Sequence, residues 1–312
     1  MQVAAIQMKA FLGDVEKNMR TARALATAAF KRGAEWVLLP EFFTSAVAYH
    51  KKLLDAARPF DSEPLALLKE LAAAHGGVIG GSFLAVREGK SYNTFVLALP
   101  DGKTFLHDKD QPTMWENCYY LAGHDDGVLD TPMGRVGAAL CWEFVRSRTA
   151  RRMLNRVDVV VGGSCWWTLP EKYFPGFPPR IHERNLEIMK ETIPRFARML
   201  GVPVVHAAHA GEISGALPMV PGFPFKSHYL GETQIVDGTG CVLARMSYED
   251  GEGFITADID ISKKATPAES IPERFWIPDL PVQLRLMWWM QNLHGKYYYR
   301  LRTKRLIRRR WA

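Results

Sequence analysis

The sequence is poor in cysteine and has no long apolar run. Its four cysteines, Cys118, Cys141, Cys165 and Cys241, lie far apart and form no C-x-x-C pair. This spacing indicates neither a zinc site nor a disulfide framework, and it favours a reducing, cytoplasmic setting. No apolar run approaches the roughly 18 residues of a membrane span, so we expect no membrane partner. The opening MQVAAIQMKA lacks the pattern of a signal peptide, and we expect a strand there.

Acidic residues are missing from one end of the chain. The formal net charge is +7, yet residues 294–312, HGKYYYRLRTKRLIRRRWA, contain eight Lys or Arg and no acid. Removing these eight charges from +7 leaves −1 for the rest, so the main body is nearly neutral. A neutral body argues against nucleic acid as a partner of the whole protein.

What remains is the composition of a globular protein with a large core. The 312 residues are 47% hydrophobic and 23% charged, which is typical of soluble domains that need neither disulfides nor a metal for stability. Short apolar runs alternate with helical patterns, and hairpins interrupt them. This order predicts an α/β layered protein with a mixed sheet. No linker divides residues 1–262, which we assign to one domain, and residues 263–312 form a C-terminal extension.

Several elements can be placed individually. Asp14 is predicted to cap a helix that ends at Gly33, and Ser62 is predicted to cap a second helix. A later helix, IMKETIPRFARMLG, is expected to be interrupted near Pro194. Residues 168–182, TLPEKYFPGFPPRIH, are rich in proline and aromatic residues, and they predict a long ordered loop of the kind that often serves as a lid.

Three chemically reactive side chains stand at the ends of predicted strands. Glu41 lies in VLLPEFF, Lys109 follows FLHD, and Cys141 ends GAALC. A charged group at such a position is costly unless it is paired. Taken singly, each residue has a structural interpretation, as a cap, a strand exit or a core filler. A carboxylate, an ammonium and a thiol together favour a catalytic site.

The motifs around these residues resemble those of the nitrilase superfamily of carbon–nitrogen hydrolases. They are LLPEFF, KDQPTMWENCYYLAG and TPMGRVGAALCWE, in the family's order, and the resemblance covers about residues 1–262. It implies a four-layer α-β-β-α sandwich with Cys141 at a strained strand-to-helix elbow. It also implies Cys141 as nucleophile, Glu41 as general base, Lys109 as oxyanion stabiliser and Glu116 as a second, orienting carboxylate.

Thiol chemistry agrees with these roles. A thiol attacks as a thiolate, a neighbouring carboxylate can take its proton, and a neighbouring ammonium favours the anion. Attack on a carbon bonded to nitrogen gives a thioimidate from a nitrile or a tetrahedral oxyanion from an amide. Lys109 and the backbone N–H of Trp142 would stabilise the developing charge. This chemistry needs no metal and no organic cofactor, and we expect neither.

The residues after the nucleophile favour a nitrile substrate. Cys-Trp-Glu resembles the true nitrilases, whereas the amidase and carbamoylase branches more often carry Cys-Tyr-Asp or Cys-Asn-Asp. We therefore expect a nitrilase that converts a nitrile to a carboxylic acid and ammonia. The alternatives are an amidase or N-carbamoyl amide hydrolase with the same catalytic groups, or acyl transfer to an amine. A non-catalytic binding or assembly protein is a further alternative, which the intact charged set opposes.

Other residues near the motifs have candidate roles. Trp115, Trp142 and Trp166 are expected to line an aromatic substrate pocket, with core or interface packing as the alternative. Arg146 is similar to a residue that binds a carboxylate in some carbamoylases, but we expect a solvated arginine at a helix start. His206 and His209 are expected to be hydrogen-bonded structural residues, since the reaction needs no histidine.

The C-terminal extension needs a separate hypothesis. PVQLRLMWWMQNLHG is apolar enough to pack, and the basic tail follows it. The resemblance implies a homo-oligomer, a dimer or larger, and we expect the tail to dock on a neighbouring subunit. Binding of the tail to nucleic acid or to an anionic membrane is the weaker interpretation.

Overall fold

The computed structural model describes residues 1–168, 181–216, 224–274 and 282–311. The strands are β1 (Gln2–Met8), β2 (Trp36–Leu38), β3 (Arg58–Pro59), β4 (Val78–Arg87), β5 (Lys90–Ala98), β6 (Thr104–Asp108), β7 (Val128–Thr131), β8 (Gly134–Leu140), β9 (Val159–Ser164), β10 (Val204–Ala216), β11 (Pro224–Leu230), β12 (Thr233–Val236), β13 (Val242–Met246) and β14 (Gly253–Asp258). The helices are α1 (Val15–Lys31), α2 (Lys52–Ala56), α3 (Glu63–His75), α4 (Ser147–Met153), α5 (Ile181–Leu200), α6 (Val282–Tyr298) and α7 (Lys304–Trp311). Two 3-10 turns, Met114–Cys118 and Cys141–Val145, and a π-helical turn, Tyr299–Thr303, complete the set.

The strands form a continuous sheet whose two halves pack face to face. The strand order is β6-β5-β4-β2-β1-β10-β9-β8-β7, and a short parallel pairing of β1 with β10 joins the halves. Alternate residues of both halves, such as Val3 of β1 and Val161 of β9, meet in one apolar layer. Their neighbours Ala4 and Val160 face outwards, towards α1 and α3 on one side and α4 and α5 on the other. The four-layer α-β-β-α arrangement expected from the sequence is therefore confirmed.

Local sequence accounts for several helix ends. The Asp14 carboxylate accepts a hydrogen bond from the Lys17 backbone N–H at 3.1 Å and caps α1 as predicted. Ser62 precedes α3, but its hydroxyl donates to the Pro59 carbonyl and does not cap the helix. The helix stops at Gly76, whose φ of 64° is the left-handed conformation that glycine adopts at low cost.

The predicted interruption near Pro194 is wrong. Helix α5 runs through Pro194 without a break. Proline has no N–H to donate to the carbonyl four residues earlier, which belongs to Lys190. In this protein the side-chain amide of Gln234 donates to that carbonyl at 3.3 Å. A partner on β12 therefore satisfies the group that the helix leaves free.

The C-terminal helices pack on the protein's own domain. The Tyr299 hydroxyl accepts from the Ser91 backbone N–H at 3.1 Å, and the Thr303 hydroxyl donates to the Cys118 carbonyl at 2.6 Å. The opposite face exposes an apolar stripe: Val282, Leu286, Trp289, Leu293, Tyr297 and Leu301. Docking of this region on a neighbouring subunit stays a prediction, as do the boundary at residue 262 and the cytoplasmic setting.

Two further expectations concern the predicted lid and membrane-spanning helices. The predicted lid falls almost entirely on residues 169–180, which lie outside them. In the ranges that the structure describes, no helix combines the length and the apolar character needed to cross a membrane.

Candidate active site

Lys109 stands between two carboxylates in the interior of the protein. It follows β6 directly, and its Nζ lies 2.8 Å from Glu41 Oε1 and 2.8 Å from Glu116 Oε2. All three side chains are buried. Burial of a single charge is costly, and each of these charges has a partner of opposite sign. The structure therefore brings together three of the four predicted catalytic residues in direct contact.

Glu41 follows the end of β2 and is held at both ends. Its Oε1 accepts from the side-chain amide of Asn93 at 2.8 Å, and its Oε2 accepts from the Cys165 backbone N–H at 2.9 Å. Its carbonyl lies 2.7 Å from Nε2 of His209. Burial lowers the pKa of His209 to about 4, so the ring is neutral. The carboxylate is therefore fixed by β5 and by the end of β9, and the backbone of Glu41 is fixed by β10.

Glu116 is fixed by three donors on a single oxygen. Besides Lys109, its Oε2 accepts from the Thr113 backbone N–H at 2.8 Å and from the Tyr120 hydroxyl. The chain enters this turn through Met114, whose φ of 51° is in the left-handed region. A non-glycine residue in that conformation is uncommon, and such residues concentrate at functional sites.

Cys141 lies at a sharp elbow between β8 and the 3-10 turn that it begins. Its φ is 51°, and Leu140 immediately before it is extended. The strained elbow implied by the resemblance is present. The side chain is buried in the apolar cluster that also contains Phe144, Met189 and Trp166.

The electrostatics of this cluster depend on burial. Burial raises the pKa of the Cys141 thiol well above its usual value, and Glu41 adds to the effect. Burial also raises the pKa of Glu41, against the attraction of Lys109. For Lys109, burial favours the neutral form, but Glu116 and Glu41 outweigh it and raise the pKa well above the usual value. The resting site therefore holds a protonated thiol, an ammonium and a carboxylate of enhanced basicity.

A second buried network supports the elbow from behind. Glu143 accepts from the backbone N–H groups of Leu140 at 2.9 Å and Asp110 at 3.0 Å. Its Oε2 also lies 2.9 Å from Nε2 of His107, whose other nitrogen contacts Asp125. Burial disfavours a charged His107, but the two carboxylates raise its pKa to about 10. The network ties the loop after Lys109 to the elbow at Cys141.

The expectation of a solvated Arg146 is wrong. Its side chain is buried and pairs with Asp110, and its guanidinium also donates to the Gln111 carbonyl at 3.2 Å. The sequence VRSRTAR places Arg146 at the start of a helix, where arginine is usually exposed. The acid that pairs with it comes from the loop after Lys109, a contact that the local sequence does not reveal.

Two of the predicted substrate-binding tryptophans belong to the apolar cluster that contains Cys141. Trp166 is a buried member and Trp142 packs against the cluster, with their ring centroids 5.6 Å apart. Trp288 from α6 lies against Trp142 with the ring centroids 4.4 Å apart and the planes tilted by 41°. The C-terminal extension therefore adds a ring to the aromatic group of this cluster.

The third tryptophan belongs to a neighbouring cluster. Trp115 stacks on Trp167 at 4.1 Å and meets Phe225 edge-on at 5.2 Å. It is buried, and its indole N–H has no hydrogen-bond partner among the described residues. Substrate binding by Trp115, Trp142 and Trp166 stays a prediction.

Sequence reasoning missed several residues that position the site. Asn93 was detectable, because a polar side chain within the apolar run SYNTFVLALP must find a buried partner. Tyr120 lies in the quoted CYYLAG run, but nothing local distinguishes it from Tyr119. His107 and Trp288 gave no signal, because their partners are distant in sequence. His206, by contrast, is buried and hydrogen-bonded as expected, with Nε2 2.8 Å from Ser164 Oγ.

The portion of the chain that the structure describes contains no candidate metal site. No group of three or more His, Cys, Asp or Glu side chains is arranged there to hold an ion. The charged groups at the site are instead engaged with one another.

Comparison with known proteins places the chain in a family. A sequence profile of the carbon–nitrogen hydrolase family matches residues 2–266. N-carbamoylputrescine amidase from Solanum lycopersicum is 31% identical over 196 residues, which cover 59% of this chain and 64% of that protein. Omega-amidase NIT2-B from Xenopus laevis is 28% identical over 271 residues, which cover 82% of this chain and 88% of that protein. The match to the tomato protein thus spans less than two thirds of its length.

A solved structure shares the fold. The crystal structure of a carbon–nitrogen hydrolase from Helicobacter pylori G27 superposes with a TM-score of 0.72 at 22% identity, covering 84% of this chain and 89% of that one. The protein belongs to the carbon–nitrogen hydrolase family.

Proposed function

We propose that this protein hydrolyses the amide group of a small, non-peptide substrate through a thioester on Cys141. The observation that carries the proposal is Lys109, fully buried and 2.8 Å from each of two carboxylates beside an elbow cysteine. This arrangement supplies a nucleophile, a base and a cation in one site shielded from water.

The first half of the reaction transfers the acyl group to sulfur. Glu41 takes the thiol proton of Cys141 as the sulfur bonds to the amide carbon, and the carbonyl π electrons move to oxygen. The Lys109 ammonium and the Trp142 backbone N–H stabilise that oxyanion. As the oxyanion collapses, the carbon–nitrogen bond breaks, and protonated Glu41 donates its proton to the leaving ammonia.

The second half releases the acid. Glu41, again a carboxylate, takes a proton from water as the water oxygen bonds to the thioester carbon. The second oxyanion collapses with cleavage of the carbon–sulfur bond, and sulfur regains a proton from Glu41. Glu116 does not exchange protons in this scheme. Its three donors hold it against Lys109, so that the ammonium stays in place through both halves.

An amide substrate has better support than the nitrile expected first. The curated relatives include N-carbamoylputrescine amidase, Omega-amidase and 2-oxoglutaramate amidase. The motif that favoured a nitrile, Cys-Trp-Glu, ends in Glu143, whose carboxylate accepts from two backbone N–H groups and His107. Because Glu143 supports the elbow, its presence says little about whether the substrate is a nitrile or an amide.

The substrate would meet an aromatic wall. The rings of Trp142, Trp166 and Trp288 lie together, and Trp142 and Trp166 pack in the apolar cluster that contains Cys141. Such a wall suits an apolar or weakly polar chain attached to the amide. Arg146 is already paired with Asp110, so we do not assign it to a substrate carboxylate.

Ammonia release from matched substrate pairs tests the proposal. Each pair consists of a primary amide and the nitrile with the same side chain, incubated with the wild type and with Cys141→Ala. We expect ammonia from amides with the wild type alone. Hydrolysis of nitriles faster than their matched amides would restore the nitrilase interpretation. Turnover that survives in Cys141→Ala would contradict the assignment of Cys141 as the nucleophile.

A further inference from the structure

A cavity lies behind the catalytic cluster, against the C-terminal helices. Its volume is about 640 Å³, within the range of small-molecule sites. One wall is the loop after Lys109 and includes Gln111, Asn117 and Tyr120, and the other wall is formed by α6, the π-helical turn and α7. None of Glu41, Lys109 or Cys141 lines it, so this cavity does not hold the groups assigned to the reaction.

The charged side chains on the described part of the cavity wall are all basic. They are Lys296, Arg300 and Lys304, and no Asp or Glu among the described residues lines the cavity. In the part of the chain that the structure describes, these three cations form no ion pair. Arg310 on the same segment differs, because it pairs with Asp55 at 2.8 Å. Three neighbouring unpaired cations repel one another, and an anion between them would remove that repulsion.

Neighbouring residues fix the backbone of the segment that carries the three cations. They are spaced four apart, which places them on one side of the helical segment. Gly295 packs so closely on the loop that an added Cβ would stand 2.5 Å from the Asn117 Cβ. Tyr299 and Thr303 bond to Ser91 and Cys118. Fixed backbones reduce the entropy lost when a ligand binds.

The π-helical turn lies at the middle of the cavity wall. The Lys304 backbone N–H donates to the Tyr299 carbonyl, five residues earlier. Such wide turns are rare and occur often at functional sites. In this protein the turn sits between Lys296 and Lys304 and contains Arg300.

We propose that this cavity binds a small multivalent anion, a molecule with phosphoryl or several carboxylate groups. The side chains of Lys296, Arg300 and Lys304 would hold the negative groups, and the amide of Gln111 offers a further donor on the opposite wall. Tyr120 is shared with the catalytic cluster, since its hydroxyl donates to Glu116. A bound anion would therefore lie one side chain away from the group that positions Lys109.

Calorimetric titration with defined anions tests this site. Inorganic pyrophosphate and citrate represent the phosphoryl and polycarboxylate chemistries, and a short single-stranded oligonucleotide represents a polymeric anion. The protein is full-length Cys141→Ala, so that turnover cannot contribute heat. We expect saturable binding of pyrophosphate or citrate at one site per chain, and the stronger of the two identifies the chemistry.

Two double variants separate the cavity from the general charge of the tail. Arg300→Gln with Lys304→Gln removes two lining cations, and Arg305→Gln with Arg309→Gln removes two exposed cations that do not line the cavity. The first pair should weaken binding at least about tenfold, since each charged hydrogen bond contributes that much or more. The second pair should change binding by less than about twofold.

Three results would overturn the proposal. The first is the absence of small-anion binding to the parent protein. The second is equal weakening by both double variants, which would show attraction to the tail as a whole. The third is tight binding of the oligonucleotide alone, which would make the tail a polymer-binding segment. The thermal midpoint of each variant serves as the folding control.

Discussion

The two charged clusters of this protein differ in pairing and in access to water. Lys109 is buried between Glu41 and Glu116 and has a partner on each side. Arg300, which lines the cavity against the C-terminal helices, is exposed and has no ion-pair partner among the described residues. Buried charge must be paired, whereas unpaired charge is tolerated where water reaches it. The first arrangement suits chemistry on a fixed group, and the second suits reversible capture of a ligand.

Loss of the cation should therefore change the free energy of unfolding much more in the first cluster than in the second. We expect Lys109→Met to lower the free energy of unfolding by about 3–5 kcal/mol, because it leaves two buried carboxylates without a cation. Arg300→Met should change it by less than about 0.5 kcal/mol, because an exposed charge is lost from a repulsive group. Urea unfolding of both variants measures the difference. Similar losses in the two would show that burial does not distinguish the clusters.

The His107 network gives the next largest effect, and it depends on pH. The pKa of His107 is raised from 6.5 to about 10, so the folded state favours the protonated ring. The stabilisation it brings is complete below about pH 6.5 and is lost as the pH rises through about 10. We expect the stability advantage of the wild type over His107→Gln, which amounts to several kcal/mol, to shrink across that window.

Unfolding free energies measured from about pH 6 to about pH 10 check this window. The control is His124→Gln, which changes an exposed histidine. A wild-type advantage that stays constant with pH would mean that His107 is neutral in the folded protein.

A smaller effect is expected from the amide that holds the general base. Asn93→Ala removes a hydrogen bond of 2.8 Å to Glu41, which favours the charged carboxylate. The pKa of Glu41 should rise further, and the acid limb of kcat/KM should move to higher pH. The loss of kcat/KM at the optimum should be roughly tenfold to a hundredfold, as for a hydrogen bond to a charged group. A loss with an unmoved limb would assign Asn93 a structural role only.

The smallest effect concerns the ring that the extension adds to the site. The Trp288 ring lies against Trp142 with the centroids 4.4 Å apart, whereas its neighbour Trp289 is 63% exposed. Trp288→Ala should raise KM about twofold to tenfold and leave kcat nearly unchanged, because an aromatic pair contributes about 0.5–1.5 kcal/mol. Trp289→Ala is the matched control and should change neither constant. Equal effects of both variants would remove Trp288 from the substrate wall.

Strand and helix positions followed from the sequence where the pattern was local. The strand at the start of the chain and the capped start of α1 at Asp14 were predicted from a short apolar run and from cap chemistry. The continuous helix through Pro194 was not, because the compensating donor is Gln234, forty residues along the chain. Local rules predict which backbone hydrogen bond a residue such as proline removes. They do not predict a partner distant in sequence that replaces the lost donor.

The site shows the same limit. The motif order brought out Glu41, Lys109, Glu116 and Cys141, because each occupies a strand end or loop where the chemistry is unusual for its place. The pairing of Arg146 with Asp110 was missed, because buried and exposed arginines look alike in a sequence. The contacts that fix the catalytic groups come from other strands, and only the folded structure reveals them.

The most direct test of the central claim is the mass of the protein during turnover. Wild-type protein is mixed with an amide that it hydrolyses and is quenched rapidly with acid. The masses of the intact protein and of its digested peptides are then measured. We predict a mass gain equal to the acyl group in place of one hydrogen, on the peptide that contains Cys141, and no gain in Cys141→Ala. An acyl group on Cys165 or another residue, or a burst of ammonia without any adduct, would contradict the proposed thioester on Cys141.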